Sequence, residues 1–213
     1  MHLAILGASG RTGAHAMTAA LARGHEVSVL VRDVAKLPGG TADRVRVVVG
    51  DSTDPAVLTD LLAGADAVVS ALGPIGRQAD LHTRTAHALV GIMTSGGPRR
   101  FVGVSGAGID VPGDRKAPKD KVISALIQRL GGDVVKDKPA EYAVFAASGL
   151  DWTLVRPPRL VDGAASAGPL EHDAHRSTRS SRITRAGLGA FLIDAVEEGL
   201  YVRRAPFVAT PRR

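Results

Sequence analysis

The stretch Gly7-Ala8-Ser9-Gly10-Arg11-Thr12-Gly13 holds the residue types and spacing with the plainest chemistry in this chain. An apolar run, Leu3 to Leu6, enters it, and Ala14, Met17, Thr18 and Leu21 leave it at the spacing of one helical face. Gly24 then closes that helix as a C-cap. A strand, a glycine-rich turn and a helix in this order make a cradle for phosphate. Gly7 permits the tight turn, Gly10 lets the backbone approach a pyrophosphate, and Gly13 lets helix and strand pack closely. The helix start adds unpaired N–H groups and a positive dipole end. Ser9 and Thr12 contribute hydroxyl donors, and Arg11 a cation. The spacing is G-x-x-G-x-x-G. In a chain with 25 glycines, the setting between strand and helix gives the triplet its meaning.

Further polar residues fall where other strands end. Residues 25–31 read as a second strand, stopped by Arg32-Asp33. In a dinucleotide fold this strand ends at the adenosine ribose. An acid there suits the 2′-hydroxyl of NAD, and an arginine the 2′-phosphate of NADP. Asp33 has a local task as cap of the segment from Val34, so Arg32 is the reader and NADP the expected cofactor. Residues 45–49 form a third strand ending in Gly50-Asp51-Ser52. Asp51 stands either as acceptor for the adenine amino group or as a cap. The fourth strand, 67–71, runs into Ala71-Leu72-Gly73, small enough to pass close to a ribose or nicotinamide. The fifth, 101–104, ends at Ser105. Gly103-Val104-Ser105-Gly106-Ala107 falls one glycine short of a nucleophile elbow, with no oxyanion-type glycine run upstream, which argues against a serine hydrolase.

These residues need a frame. Helices are expected at 55–62, 81–94, 122–130, 139–147 and 185–198, with a sixth strand at 151–156 stopped by Pro157-Pro158. Residues 109–121 read as loop, 159–182 as an irregular excursion, and 201–208 as an edge strand. His82 and His87 read as ordinary helix residues. Strands alternating with helices predict an α/β, Rossmann-type, doubly wound parallel sheet in a single domain over 1–213. A small substrate lobe is expected from about 106–135 and 157–182.

Composition excludes several functions. The 213 residues include no cysteine, so there is no disulfide, thiolate nucleophile or cysteine-type zinc site. The net charge is +6, but the arginines are scattered along the sequence and aromatics are 3%, too few for a base-stacking surface, which argues against nucleic acid. Glu171-His172-Asp173-Ala174-His175 lacks the order of a zinc motif, and no metal is expected. No apolar run approaches membrane-spanning length, so the expectation is a cytoplasmic protein without a membrane partner.

The sequence resembles the atypical short-chain dehydrogenase/reductases, in the NAD(P)H-binding branch with biliverdin IXβ reductase/flavin reductase and NmrA-like proteins. The resemblance rests on the glycine stretch, Leu30-Val31-Arg32-Asp33, Gly50-Asp51, Ser70-Ala71-Leu72-Gly73 and Val104-Ser105-Gly106-Ala107. Residues 148–158, from Ser148-Gly149-Leu150 to Pro157-Pro158, and Ile183-Thr184-Arg185-Ala186 are its more specific parts. It implies a pyrophosphate at 7–13, a 2′-phosphate at Arg32, and adenine near Asp51 and Ser52. It places nicotinamide near Ala71, Leu72, Gly73 and Ser105, with Pro157 and Pro158 on the far side. Lys138 falls where many relatives carry the lysine of a Tyr-x-x-x-Lys pair, but Val134 stands in the tyrosine's place. The resemblance therefore implies an NADPH-dependent reductase of an acceptor needing little acid catalysis, a flavin or quinone, with Ser105 and Lys138 orienting it. The other expectation is a non-catalytic NADP-binding sensor of the NmrA-like type. The partner is a small-molecule acceptor, and the chain is a monomer or homodimer.

Overall fold

The computed structural model describes residues 1–73, 79–130 and 132–211. Pro74, Ile75 and Gly76 of the expected loop and the turn at Gly131 lie outside these residues, as do the side chains of Ile123, Ile127, Leu130 and Val134.

The first strand, β1 (His2–Leu6), shows how the sequence builds the layers. Side chains alternate across a strand. Leu3 and Ile5 join one buried cluster, whereas Ala4 and Leu6 join another on the opposite face. Both faces of the sheet are therefore covered, as a parallel sheet requires. The first face is packed by α1 (Arg11–Ala22) through Ala16, Met17 and Ala20, and by α6 (Arg185–Glu197) through Leu188, Leu192 and Ile193. The second is packed by α2 (Pro55–Leu62), α3 (Leu81–Thr94) and α5 (Gly132–Ala147) through Leu58, Leu61, Leu89 and Phe145.

The remaining strands of the sheet are β2 (Glu26–Val31), β3 (Arg46–Val49), β4 (Ala67–Ser70), β5 (Arg100–Val104) and β6 (Asp151–Val155). Their order is β3-β2-β1-β4-β5-β6, all parallel. This is the expected doubly wound sheet. The order reverses between β1 and β4, where a crevice opens at the carboxyl ends.

Four short strands form two ribbons beyond β6. β7 (Arg159–Val161) pairs in parallel with β9 (Arg182–Thr184), and β8 (Glu171–Asp173) pairs antiparallel with β10 (Phe207–Ala209). The excursion at 159–182 is thus partly ordered as strand. Each strand spans only three residues, too few for alternation to show in the sequence.

Other boundaries differ as well. The expected strand at 201–208 begins only at Phe207, because Tyr201 and Arg203 sit in a turn at φ 56° and 55°. A fourth helix, α4 (Pro118–Leu130), starts four residues before the apolar stripe, with Pro118 in its first turn. α5 runs through Pro139 instead of starting there. Asp137, two residues before that proline, caps α3 through the N–H groups of His82 and Thr83, so tertiary contacts hold the turn in place. No helix among the described residues is long and apolar enough to cross a membrane.

Candidate active site

The glycine stretch closes tightly over the end of β1. Gly7 has φ +80°, and a Cβ there would lie 2.7 Å from the Ala71 carbonyl oxygen at the end of β4. A Cβ on Gly13 would come within 2.0 Å of the Gly7 oxygen. These positions demand glycine for backbone contact. Gly10 is the N-cap of α1, and no side chain caps that helix. Its first-turn N–H groups, at Arg11, Thr12 and Gly13, are left for a ligand. Ala8 is fully buried, whereas Ser9 and Arg11 are exposed.

A cleft beside this cradle is lined by Gly7, Ser9, Arg32, Asp51, Ser52 and Leu72, together with Leu81 from α3. The ends of β1, β2, β3 and β4 therefore bring together most of the residues expected at a dinucleotide. Asp33 accepts from the Ala35 N–H at 3.0 Å, so its carboxylate serves as a cap. Asp51 accepts from the backbone and hydroxyl of Thr53 at 2.8 and 2.7 Å. Those bonds, then Arg32 and Arg84, hold its carboxyl below the usual range. Arg84, on α3, had no signal in the sequence. Ser52 is buried and accepts from Thr85 at 3.3 Å, tying the end of β3 to α3.

Ser105 follows β5, next to β4 in the sheet. Its N–H donates to Val155 at 2.7 Å. Its hydroxyl is buried without a hydrogen-bond partner. Buried hydroxyls are nearly always paired, so an orphan at a crevice suits a missing ligand.

Past Ser105, a cavity of about 600 Å³ opens at the ends of β5 and β6. Gly106, Pro157, Pro158 and Phe207 line it, with Arg159 and Ser181 on its rim. Its base is held by Arg156, which is fully buried. The guanidinium meets both oxygens of Asp114 at 2.6 and 2.7 Å and donates to the Ala205 carbonyl at 2.6 Å. It also lies 3.8 Å from the centre of the Phe207 ring. Proline and phenylalanine thus form an apolar floor, fixed from behind by a buried ion pair.

Lys138 sits beneath the end of β5. Its ammonium donates to the Val104 carbonyl and to Glu141, both at 2.9 Å, and meets His82 Nδ1 at 3.0 Å. Burial, then the nearby lysine, pushes His82 down to about 3. It is a neutral acceptor for Lys138. Burial raises the Glu141 carboxyl, an effect Lys138 opposes. His82 is therefore part of a buried network and not an ordinary helix residue. In the stretch Glu171 to His175, Glu171 accepts from the Arg179 N–H at 2.7 Å, His172 meets the Tyr201 hydroxyl at 2.6 Å, and Asp173 accepts from the N–H groups of His175 and Arg176.

A protein family described as NAD(P)H-binding matches residues 7–199. The chain belongs to the NAD(P)H-binding family. Its uncharacterised relative YwnB of Bacillus subtilis is 28% identical over 176 residues, which span 77% of this chain and 75% of YwnB. A crystal structure of a Burkholderia pseudomallei protein is 28% identical with a TM-score of 0.78, over 98% of this chain and 99% of that one. A short-chain dehydrogenase/reductase of Veillonella parvula, solved in complex with NADP, shares the fold at 19% identity and a TM-score of 0.82, over 99% and 94% of the two chains. In this NAD(P)H-binding chain the glycine cradle and the cleft at Arg32 and Asp51 stand at one end of the crevice. The apolar cavity stands at the other, with Ser105 between them.

Proposed function

We propose that this NAD(P)H-binding protein is an NADPH-dependent reductase of a small conjugated acceptor, such as a flavin or quinone. The observation that carries the reading is the cavity of about 600 Å³ beside the dinucleotide crevice, with a buried, unpartnered serine hydroxyl at the boundary. A second, mostly apolar chamber next to the dinucleotide crevice is the space a reductase needs for its acceptor.

NADPH supplies a hydride when bound. The chain's residues supply position. The N–H groups of the glycine turn and the start of α1 hold the pyrophosphate. Arg32 meets the 2′-phosphate, and Asp51 keeps an ionised carboxylate for the adenine amino group. Leu72 and Gly73 leave room for the nicotinamide end. Ser105 donates to the acceptor or the carboxamide, which satisfies its hydroxyl. Pro157, Pro158 and Phe207 exclude water from one face of the acceptor. No tyrosine acid stands four residues before Lys138. The acceptor must then spread the charge it gains over its own ring system and take its proton from solvent.

The test is anaerobic NADPH oxidation by the purified protein with a panel of flavins and quinones. Turnover with at least one supports the reductase. Tight NADPH binding without oxidation by any of them supports the nucleotide sensor instead.

A further inference from the structure

Helix α4 turns an apolar ridge outward. Asp120 and Ser124 line the cavity, so they mark the inner face of the helix. Lys116 donates to the buried Ser124 hydroxyl at 2.9 Å and holds that face down. Val122 and Leu126 each stand two residues further on, about 200° around the helix, and project the other way. Val122 is 69% exposed and Leu126 55%. Pro118, Ala125 and Arg129 share this outer face and are exposed as well. Met1, Val34, Val49 and Val202, the other exposed large apolar residues, lie in separate segments. Single residues of that kind are ordinary, but two at i and i+4 on one helix form a ridge.

Cations border the ridge. Lys121 and Arg129 are exposed on α4 itself. Arg115, just before the helix, forms a β-bridge with Arg176, and both are exposed. The Ala117 N–H donates to the Ser177 hydroxyl at 3.1 Å, which keeps Arg176 beside the helix start. Among the described residues, Arg115, Lys121 and Arg129 have no carboxylate at ion-pair distance. The nearby acids are engaged or turned away: Asp173 accepts from the Arg176 N–H, Asp110 pairs with Lys116, and Asp120 is on the inner face.

We propose that α4 docks the protein on an anionic lipid surface. Val122 and Leu126 enter the headgroup boundary, and Arg115, Lys121, Arg129 and Arg176 meet lipid phosphates. A helix lying on a surface needs no spanning segment, and no described helix is long and apolar enough to be one. Other occupants fit less well. A second copy docked helix to helix would set Lys121 and Arg129 against the same cations of its partner, with no acid on the ridge to relieve them. A ridge about 20 Å long and 10 Å wide also falls well short of the roughly 800 Å² per partner that a stable protein interface takes. Lipid demands neither a complementary shape nor charges at fixed positions.

The chain has no cysteine, so Leu126→Cys and Val202→Cys each give one position for an environment-sensitive fluorophore. Val202 is exposed in the turn after α6 and serves as the control. The full chain is mixed with vesicles of phosphatidylcholine, with or without phosphatidylglycerol. The label on Leu126→Cys should shift to the blue on the anionic vesicles only, and the label on Val202→Cys on neither. In co-sedimentation of unlabelled protein, Val122→Ser and Leu126→Ser should each weaken anionic-vesicle binding about five- to tenfold. Lys121→Gln and Arg129→Gln should each weaken it about fivefold, and salt should weaken it further. These side chains are exposed, so the melting temperature should hold in all four variants. No binding to anionic vesicles, equal binding to neutral ones, or binding that ignores both serine substitutions would overturn the proposal. A dimer in analytical ultracentrifugation that Leu126→Ser dissociates would overturn it in favour of a second copy.

Discussion

Lys138 donates to the Val104 carbonyl at 2.9 Å, so α5 grips the residue immediately before Ser105. The same ammonium meets Glu141 and His82, which accounts for its three donors. With its three donors engaged, Lys138 has none left for the acceptor it was expected to orient, and the role proposed for it is positioning through the backbone. Lys138→Met should cost about 3 kcal/mol, because buried Glu141 loses its counter-ion. It should lower kcat with the acceptor while leaving NADPH affinity nearly unchanged. Adding Glu141→Gln should restore most of the lost melting temperature and little of the kcat. An unchanged melting temperature in the single variant would remove the network from the account.

His82 makes the same network sensitive to acid. It titrates near 6.5 when unfolded and is pushed down to about 3 in the fold. The unfolded chain takes up this proton first as pH falls. The stability that neutral His82 contributes is present above about pH 6.5 and is lost progressively toward pH 3. Glu141 runs the other way, since its raised carboxyl favours the fold when protonated and loses that contribution as pH rises through the raised value. His82→Gln removes only the first effect. Its melting temperature should therefore fall less than the wild type's between pH 6.5 and about pH 4. Parallel slopes would show that His82 does not titrate on unfolding.

What the sequence displays and what it hides divide by distance along the chain. The glycine turn and the alternation of apolar strands with helical stripes are local patterns, and they suffice to predict the parallel sheet and its crevice. Asp33 as a cap is local too. The contact of Lys138 with His82 spans 56 residues, and that of Arg156 with Asp114 spans 42. Neither leaves a trace in spacing. The arginines look scattered in the sequence because only the pairing of β7 with β9 sets Arg159 beside Arg182.

Ser105→Ala separates function from folding. The hydroxyl is buried without a partner, so its removal should leave stability unchanged or raise it by up to about 1 kcal/mol. Turnover should fall about tenfold, the value of one hydrogen bond at the reacting groups, while NADPH affinity holds. Thermal melts and steady-state kinetics on the same preparation check both halves. Equal turnover would leave the hydroxyl no part in the reaction.

Arg32 should set the choice of cofactor. Its neighbour Asp33 is occupied at the Ala35 N–H, so no carboxylate competes for the ribose from that position. A guanidinium on a 2′-phosphate contributes roughly 1.5–3 kcal/mol, or about ten- to a hundredfold in affinity. The wild type should prefer NADPH to NADH by that factor, less so at high salt. Arg32→Ala should weaken NADPH and barely change NADH. Calorimetric titration of both nucleotides into both proteins decides it, and a parallel loss for the two cofactors would show that Arg32 does not read the phosphate.

The central claim is that the glycine cradle and the apolar cavity work as one site, passing reducing equivalents from NADPH to a conjugated acceptor. The most direct measurement is the rate of anaerobic NADPH oxidation by FMN, followed by nicotinamide absorbance, for the wild type and Gly10→Val. A Cβ on Gly10 would stand 3.1 Å from the Gly7 oxygen and fill the space a pyrophosphate needs, without meeting the core. The account predicts saturable oxidation by the wild type and none above background by the folded variant. Absence of oxidation by a wild type that binds NADPH tightly, or equal rates in the two proteins, would contradict it.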